Sequence, residues 1–445
     1  LTATPSGTIS IWLEWTDADE WDDGFSLERS TDGENFEQVA ELPYHHEEDR
    51  RVYYEDTGLR PNTTYYYRVR AFNEYGYSDY SNIASATTLE WGGFSEPVYY
   101  EVNKNNLVFV ALSDLNADGD FDIVAVAESI SGVVSILLNN GDGSFGPQAD
   151  YDVGVRPTSA TAADFDGDTY PDLAVANGYS NSVSVLFNEG DGTFGAAVDY
   201  EVDGWAYSIS AGDFDNDSDK DLAAVLGDSG GKLAILMNDG DGTFASPVYY
   251  DAGSTLPLSL VAGHLSDDND IDIAVSHYEA LVSVLLNKGN GTFHSPVVYE
   301  LSGGEFGSIA LGDFDGDSSL DIVVATGFGV GLLVNDGDGT FAPGGDYDGA
   351  GSTEAVATGD FDLDGDVDIV VVGGTGEGYS DPGVVSLLLN DGSGAFERAL
   401  VQDIPEGRQL RSVAVGDLDG DGDLDVVATS NRDDVVVVLF NLLID

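Results

Sequence analysis

From about residue 92 onward, short apolar runs alternate with acidic and glycine-rich stretches in a fixed order. An apolar run such as Ser159-Ala-Thr-Ala-Ala163 or Ser308-Ile-Ala-Leu311 enters an acidic loop. A second run follows, as in Asp172-Leu-Ala-Val-Ala176, and then a variable connection. A third run comes next, as in Ser182 to Phe187 or Leu281 to Leu286. A turn of the Asn-Asp-Gly-Asp-Gly-Thr-Phe type then leads into a fourth, as in Val248-Tyr249-Tyr250. Short runs rich in β-branched and aromatic residues and bounded by glycine and Asx turns predict β-strands joined by tight turns.

The pattern is a repeat. Its acidic loops begin at Asp114, Asp164, Asp213, His264, Asp313, Asp360 and Asp417, at steps of 50, 49, 51, 49, 47 and 57 residues. Four antiparallel strands in about 50 residues, repeated seven times, predict a β-propeller with four-stranded blades. The glycine-rich hairpin occurs six times, ending at Phe145, Phe194, Phe244, Phe293, Phe341 and Phe396. The seventh unit stops after its third run, at Val435 to Phe440. Gly93-Phe94-Ser95-Glu96-Pro97-Val98-Tyr99-Tyr100 closely matches Thr243 to Tyr250. Residues 92–102 are therefore expected to supply the outer strand of the last blade and close a ring without an open sheet edge.

Each loop places oxygen donors at alternate positions. Counted from its first residue, positions 1, 3 and 5 are Asp or Asn nearly everywhere and position 9 is always Asp. The candidate ligands are Asp114, Asn116, Asp118, Asp120 and Asp122; Asp164, Asp166, Asp168, Tyr170 and Asp172; and Asp213, Asp215, Asp217, Asp219 and Asp221. They continue with Asp268 and Asp272; Asp313, Asp315, Asp317, Ser319 and Asp321; Asp360, Asp362, Asp364, Asp366 and Asp368; and Asp417, Asp419, Asp421, Asp423 and Asp425. Position 7 varies (Tyr170, Ser319), which points to its backbone carbonyl as the donor. Oxygen-only donors suit a hard cation, and Ca²⁺ over Mg²⁺. Position 12 is Ala or Val and lies in a strand, so this is not the helix-flanked EF-hand loop, which needs Glu there. The loop at 264–272 begins His264-Leu-Ser266 and lacks carboxylates at positions 1 and 3. About six Ca²⁺ sites are expected, with that loop weak or empty.

Residues 1–88 lack the repeat and form a separate expected domain, leaving 89–445 to the propeller. Ser10 to Trp15 alternates, Phe25 to Arg29 precedes an Asp32-Gly33 turn, and Tyr65 to Ala71 is strongly β-prone, which together predict an antiparallel sandwich. The stretch Leu59-Arg-Pro-Asn-Thr-Thr-Tyr65-Tyr-Tyr-Arg-Val-Arg-Ala71 resembles the corresponding corner of fibronectin type III domains, with Trp15 as the core tryptophan. That resemblance implies a tyrosine corner in which Tyr65 bonds to upstream backbone.

Composition narrows the partners. The formal net charge is −67, with 82 acidic residues, and this argues against nucleic acid, which needs a basic footprint. So acidic a chain with only four lysines resembles proteins of salt-loving organisms, where ionic strength screens self-repulsion. With no cysteine there is no disulfide and no thiol chemistry. No apolar run approaches the roughly 18 residues of a membrane span, so no membrane insertion is expected. The start at Leu1, without a leader, reads as a mature form or a piece of a longer chain. Gly227-Asp-Ser-Gly-Gly231 fits a nucleophile-elbow pattern but lies in a connection between strands, without the strand-to-helix context. The adjacent His45-His46 reads as solvated loop. No motif indicates catalysis.

The repeats resemble the FG-GAP/VCBS repeats of integrin α-subunit propellers and of many secreted microbial proteins. The resemblance covers about 350 residues and implies an all-β, seven-bladed propeller with Ca²⁺ in its loops, after a fibronectin type III sandwich. It also implies ligand docking on the face opposite the loops. Mapped onto this sequence, that face carries Arg156, Tyr179, Trp205, Tyr207, His277, Tyr278, Phe306, Phe328, Tyr379, Arg408, Arg411 and Arg432. The expectation is a non-enzymatic, secreted or cell-surface adhesion or recognition protein. Its partner would be a glycan or a protein, or copies of itself. The alternatives are a subunit of a surface layer or filament, or the accessory region of a larger secreted polysaccharide-active enzyme.

Overall fold

The structure is a computed structural model of the 445-residue chain. It describes residues 1–16, 22–43, 50–89, 91–102, 106–227, 230–302, 306–349, 351–375, 382–407 and 409–443. Every helix-or-strand element among the described residues is a β-strand. Two compact units result: Leu1–Gly93 with Asp362–Gly365 and Asn441–Asp445, and Phe94–Phe361 with Asp366–Phe440.

In the first unit, Thr2–Pro5, Ile11–Thr16 and Arg51–Asp56 form a three-stranded sheet. A second sheet is built on Gly24–Ser30 and Thr64–Asn73. The period-2 pattern decides what is buried: Ile11, Leu13 and Trp15 point into the core, while Trp12 is exposed. They pack on Phe25, Leu27, Tyr65, Tyr67 and Val69 of the other sheet. Trp15 meets Phe25 edge-on, with centroids 5.7 Å apart. The Arg60 amide donates to the Tyr65 hydroxyl at 3.0 Å, which is the corner expected from the sequence. The Tyr67 hydroxyl donates to Asp56 Oδ2 at 2.8 Å.

Among the described residues, the second unit contains seven four-stranded antiparallel sheets. Their first strands are Leu107–Ser113, Pro157–Ala163, Ala206–Gly212, Pro257–Gly263, Phe306–Gly312, Ser352–Gly359 and Leu410–Gly416, and the sheets are numbered 1 to 7 in that order. Sheets 1 to 6 take all four strands from one stretch of chain. Sheet 7 takes its fourth strand, Val98–Glu101, from the other end, paired with Val435–Leu439 in the register Val438 to Val98. The Ser95 amide extends this pairing, donating to the Phe440 carbonyl at 2.7 Å.

Second and third strands are buried on both faces, as in Asp122–Ala127 and Val133–Leu137. The cause is sheet-on-sheet stacking. Ala174 and Val183 of sheet 2 share one cluster with Leu222 and Ala234 of sheet 3, so an alternating strand would place polar groups in a core. First strands pack on first strands from each sheet to the next, and sheet 7 also packs on sheet 1. Serine hydroxyls bridge some of these junctions. Ser412 Oγ accepts from the Val110 amide at 3.2 Å, and Ser308 Oγ from the Val356 amide at 2.8 Å. A polar cavity of about 310 Å³ is lined by first-strand residues of all seven sheets.

Candidate metal centres and recognition rim

Each acidic loop joins the first strand of a sheet to the second. Two left-handed turns shape it. Position 6 has positive φ in every loop: Gly119, Thr169, Ser218, Asn269, Ser318, Gly365 and Gly422. Position 4 does so at Ala117, Gly167, Asn216, Gly316, Leu363 and Gly420. A left-handed Thr or Leu is unfavourable in isolation and persists only where its surroundings fix it. The position-1 carboxylate supplies part of that fixing: Asp164 Oδ1 accepts from Gly167 N at 2.8 Å and Oδ2 from Thr169 N at 2.9 Å.

These turns bring positions 1, 3 and 9 together. One oxygen from each lies within 4.8 Å of the others in Asp164/Asp166/Asp172, Asp213/Asp215/Asp221, Asp313/Asp315/Asp321, Asp360/Asp362/Asp368 and Asp417/Asp419/Asp425. In the first loop Asn116 stands at position 3, between Asp114 and Asp122. Position 5 lies outside the triads, and its carboxylate accepts the position-7 amide, as in Tyr170 N to Asp168 Oδ1 at 2.9 Å. The position-7 side chain turns to the hairpin of its own sheet. A Cβ on Gly190 would sit 2.9 Å from the Tyr170 ring, and one on Gly240 2.4 Å from Asp219. This explains why position 7 tolerates Tyr, Ser and Asp.

Position 9 is the anchor. Asp172 Oδ2 accepts from Phe165 N at 2.9 Å and Oδ1 from Asn188 N at 2.8 Å, and Asp122, Asp221 and Asp321 repeat the arrangement. Burial pushes the carboxyls of Asp122, Asp172, Asp221 and Asp321 up to about 6, against their two backbone hydrogen bonds and with the neighbouring carboxylates adding to the rise. Asp215 Oδ1 is buried and accepts no hydrogen bond. Hard oxygens that converge without enough donors of their own fit a hard cation.

The loop of sheet 4 is built differently. His264 replaces the first aspartate, and its Nδ1 lies 3.1 Å from the Asp270 carbonyl oxygen at position 7. The Ser266 hydroxyl donates to Asp268 Oδ1 and lies 3.0 Å from Asp272 Oδ2 as well. Side chains of the loop thus engage oxygens at positions 5, 7 and 9. Asp267, at position 4, is not left-handed.

A buried asparagine opens each hairpin and joins adjacent loops. Asn188 Nδ2 donates to the Leu115 carbonyl in the loop of sheet 1 at 2.7 Å and to the Pro171 carbonyl of its own loop at 2.9 Å. Asn139, Asn238, Asn287, Asn335 and Asn390 reach the neighbouring loop in the same way, at Leu418, Phe165, Phe214, Leu265 and Phe314. Sequence reading passed over these residues, although each recurs at one fixed place in the repeat.

At the far ends of the first strands lies the rim expected to bind a partner. Four predicted residues meet there: Arg156, Tyr179, Trp205 and Tyr207 line one small hollow with Glu128, Thr158 and Gly178. Glu128 was not foreseen, because a lone glutamate after a strand carries no motif. Tyr278 is exposed, and Arg411 pairs with Glu354 at 2.8 Å beside the central cavity. His277 is fully buried, its Nε2 2.8 Å from Ser283 Oγ, and Asn177 makes the equivalent bond to Ser184 Oγ at 2.9 Å in sheet 2. His277 is therefore a core polar bridge, not a face residue. Tyr379, Arg408, Ser229, His45, His46 and the Phe306 side chain lie outside the described residues.

No curated protein matched the chain. Among solved structures, BBS1N in complex with ARL6DN, soaked with lead, is 13% identical with a TM-score of 0.50, over 78% of this chain and 97% of that one. A functionally unknown protein from Desulfotomaculum acetoxidans is 11% identical with a TM-score of 0.51, over 71% and 94%. These are likenesses of fold. An Agrocybe aegerita lectin that recognises non-reducing terminal N-acetylglucosamine is 24% identical with a TM-score of 0.47, over 67% and 80%. The FG-GAP-like repeat model matches residues 114–175, 164–224, 264–324, 313–371 and 360–428, each span running from one acidic loop through the next. The fibronectin type III domain model matches residues 1–87. The chain belongs to the FG-GAP-like repeat family and carries a fibronectin type III domain at its N-terminal end.

Proposed function

We propose that this chain is a Ca²⁺-stabilised, non-catalytic recognition protein of the extracellular space: a fibronectin type III sandwich (1–88) followed by a seven-bladed propeller (89–445). The observation that carries the reading is the convergence of carboxylate oxygens at positions 1, 3 and 9, repeated in five loops. Positions 1, 3, 5 and 9 and the position-7 carbonyl would hold the ion, with Asn116 contributing in the first loop. A bound Ca²⁺ supplies positive charge that offsets repulsion between carboxylates a few ångströms apart. Six ions are proposed, the loop of sheet 4 being served by His264 and Ser266 instead. The packing of the first strands of sheets 1 and 7, and the borrowed strand Val98–Glu101, support ring closure. The rim away from the loops would receive a glycan or protein partner.

Metal analysis of protein dialysed against Ca²⁺-containing buffer, followed by melting with and without chelator, tests this reading. About six calcium ions per chain and a clear fall in Tm on chelation are expected. No bound calcium, or a Tm indifferent to chelator, sinks it.

A further inference from the structure

The geometry points to a saccharide subsite at the junction of sheets 2 and 3: one neutral pyranose ring stacks on Trp205 and Tyr179 while its hydroxyls meet Glu128 and Arg156. The inference rests on the reading of this rim as the recognition face. Tyr179 is 62% exposed and Trp205 39%, large values for side chains of this size. Their ring centroids lie 6.3 Å apart at an interplanar angle of 38°, so the pair forms an open, tilted platform. The repeat does not demand aromatics here: one sheet earlier, the residues at the equivalent positions are Ser129 and Arg156.

The polar wall beside the platform is held in place. Glu128 Oε1 is paired with the Arg156 guanidinium, and Oε2 accepts from Asn106 Nδ2 at 2.8 Å. Arg156 adopts a left-handed backbone with φ of 53°. The Arg156 amide donates to the Ser129 carbonyl at 3.0 Å, and its carbonyl accepts from Gly178 N at 2.9 Å, so both sides of this strained residue are pinned. The same left-handed turn precedes the first strand at Asn106, Gly351 and Gln409, so the repeat itself fixes the backbone from which the Arg156 side chain projects. The floor is the Tyr207 ring, which lies where a side chain on Gly227 would otherwise be: a Cβ there would meet the ring at 2.0 Å.

Chemistry selects the ligand. A pyranose presents a face of C–H groups ringed by hydroxyls, each both donor and acceptor. The hollow is lined by two aromatic side chains beside a paired carboxylate and guanidinium, the kinds of group that a pyranose's apolar face and hydroxyls call for. The net charge of −67 repels acidic glycans and polyanions, whereas a neutral sugar does not feel it. A stable protein interface needs roughly 800 Å² per partner, far more than this aromatic pair supplies.

The test uses the whole chain in Ca²⁺ buffer. Calorimetric titrations with cellohexaose, maltohexaose, mannohexaose and chitohexaose are compared with hexagalacturonate, an acidic probe of equal length. At least one neutral hexaose should bind, and Trp205→Ala and Tyr179→Ala should each weaken it by about tenfold or more. Tyr75→Ala, at an 89% exposed position of the first unit, should leave binding unchanged, and all three variants should keep the wild-type Tm and calcium content. Absence of binding by every neutral hexaose, binding of hexagalacturonate alone, or equal affinity in Trp205→Ala overturns the proposal. If binding fails while calcium content and the response to chelator are as expected, the subsite is wrong and the Ca²⁺-stabilised propeller stands.

Discussion

Asn188 Nδ2 lies 2.7 Å from the carbonyl oxygen of Leu115, a residue 73 positions earlier, and ties the hairpin of sheet 2 to the acidic loop of sheet 1. The same carboxamide donates to Pro171 O and accepts from Gly190 N. Asn188→Leu removes three hydrogen bonds from a site that is 5% exposed. Stability should fall by about 2–4 kcal/mol, since buried partners are left unsatisfied. Urea denaturation in saturating Ca²⁺ measures this, and a loss below about 0.5 kcal/mol would show that the bridge is not structural.

Two aspartates of one kind of site should behave differently. Asp215→Ala removes a triad oxygen, Oδ1, that accepts no hydrogen bond, and the carboxyl's remaining bonds are local ones to Asp217, so the calcium count should drop by one while the chelated protein stays within about 1 kcal/mol of wild type. Asp172→Ala also strands the amides of Phe165 and Asn188, and should cost about 2–4 kcal/mol even in chelator. Equal losses for the two variants in chelator would contradict this division of labour.

The pH response of the metal-free protein follows from the raised carboxyls. Asp122, Asp172, Asp221 and Asp321 are pushed up to about 6 from an ordinary 3.8 by burial, so the folded state binds protons more tightly than the unfolded one. Their stabilising contribution is complete below about pH 4 and is lost as pH rises through about 6, by up to roughly 3 kcal/mol per group. Burial lowers His277 to about 4, which acts in the opposite sense, costing stability as pH falls from about 6.5 toward 4. One histidine opposes four carboxyls, so Tm in chelator should decline between pH 4.5 and 7. With Ca²⁺ the same carboxylates are held ionised, and the decline should vanish. A Tm in chelator that climbs over this interval would refute the assignment.

The loop of sheet 4 offers a gain-of-function test. Its His264 nitrogen already engages the position-7 carbonyl, and Asp267 does not take the left-handed turn found at position 4 of the other loops. His264→Asp with Ser266→Asp and Asp267→Gly restores the pattern of Asp313 to Asp321. Calcium content should rise by one ion per chain. An unchanged count would mean that the loop path, not its donors, excludes the ion.

Much of this was legible along the chain. The fourth strand of sheet 7 was recognisable because Pro97-Val98-Tyr99-Tyr100 repeats Pro247-Val248-Tyr249-Tyr250, and it does pair with Val435–Leu439. The tyrosine corner at Tyr65 was visible in its local motif and is present. His277, in contrast, looked like a face residue, because the end of a strand gives no sign that the next sheet will cover it.

The sequence by itself determined the strands, the seven loops and their oxygen chemistry, because alternation, glycine turns and Asx spacing act over a few residues at a time. Only the tertiary structure decided which oxygens converge, since left-handed turns at positions 4 and 6 bring positions 1, 3 and 9 together. It also decided that Asn188 meets Leu115 and that Glu128 meets Arg156. Those pairs come from separate repeats, and stacking one sheet on the next is what brings them within bonding distance.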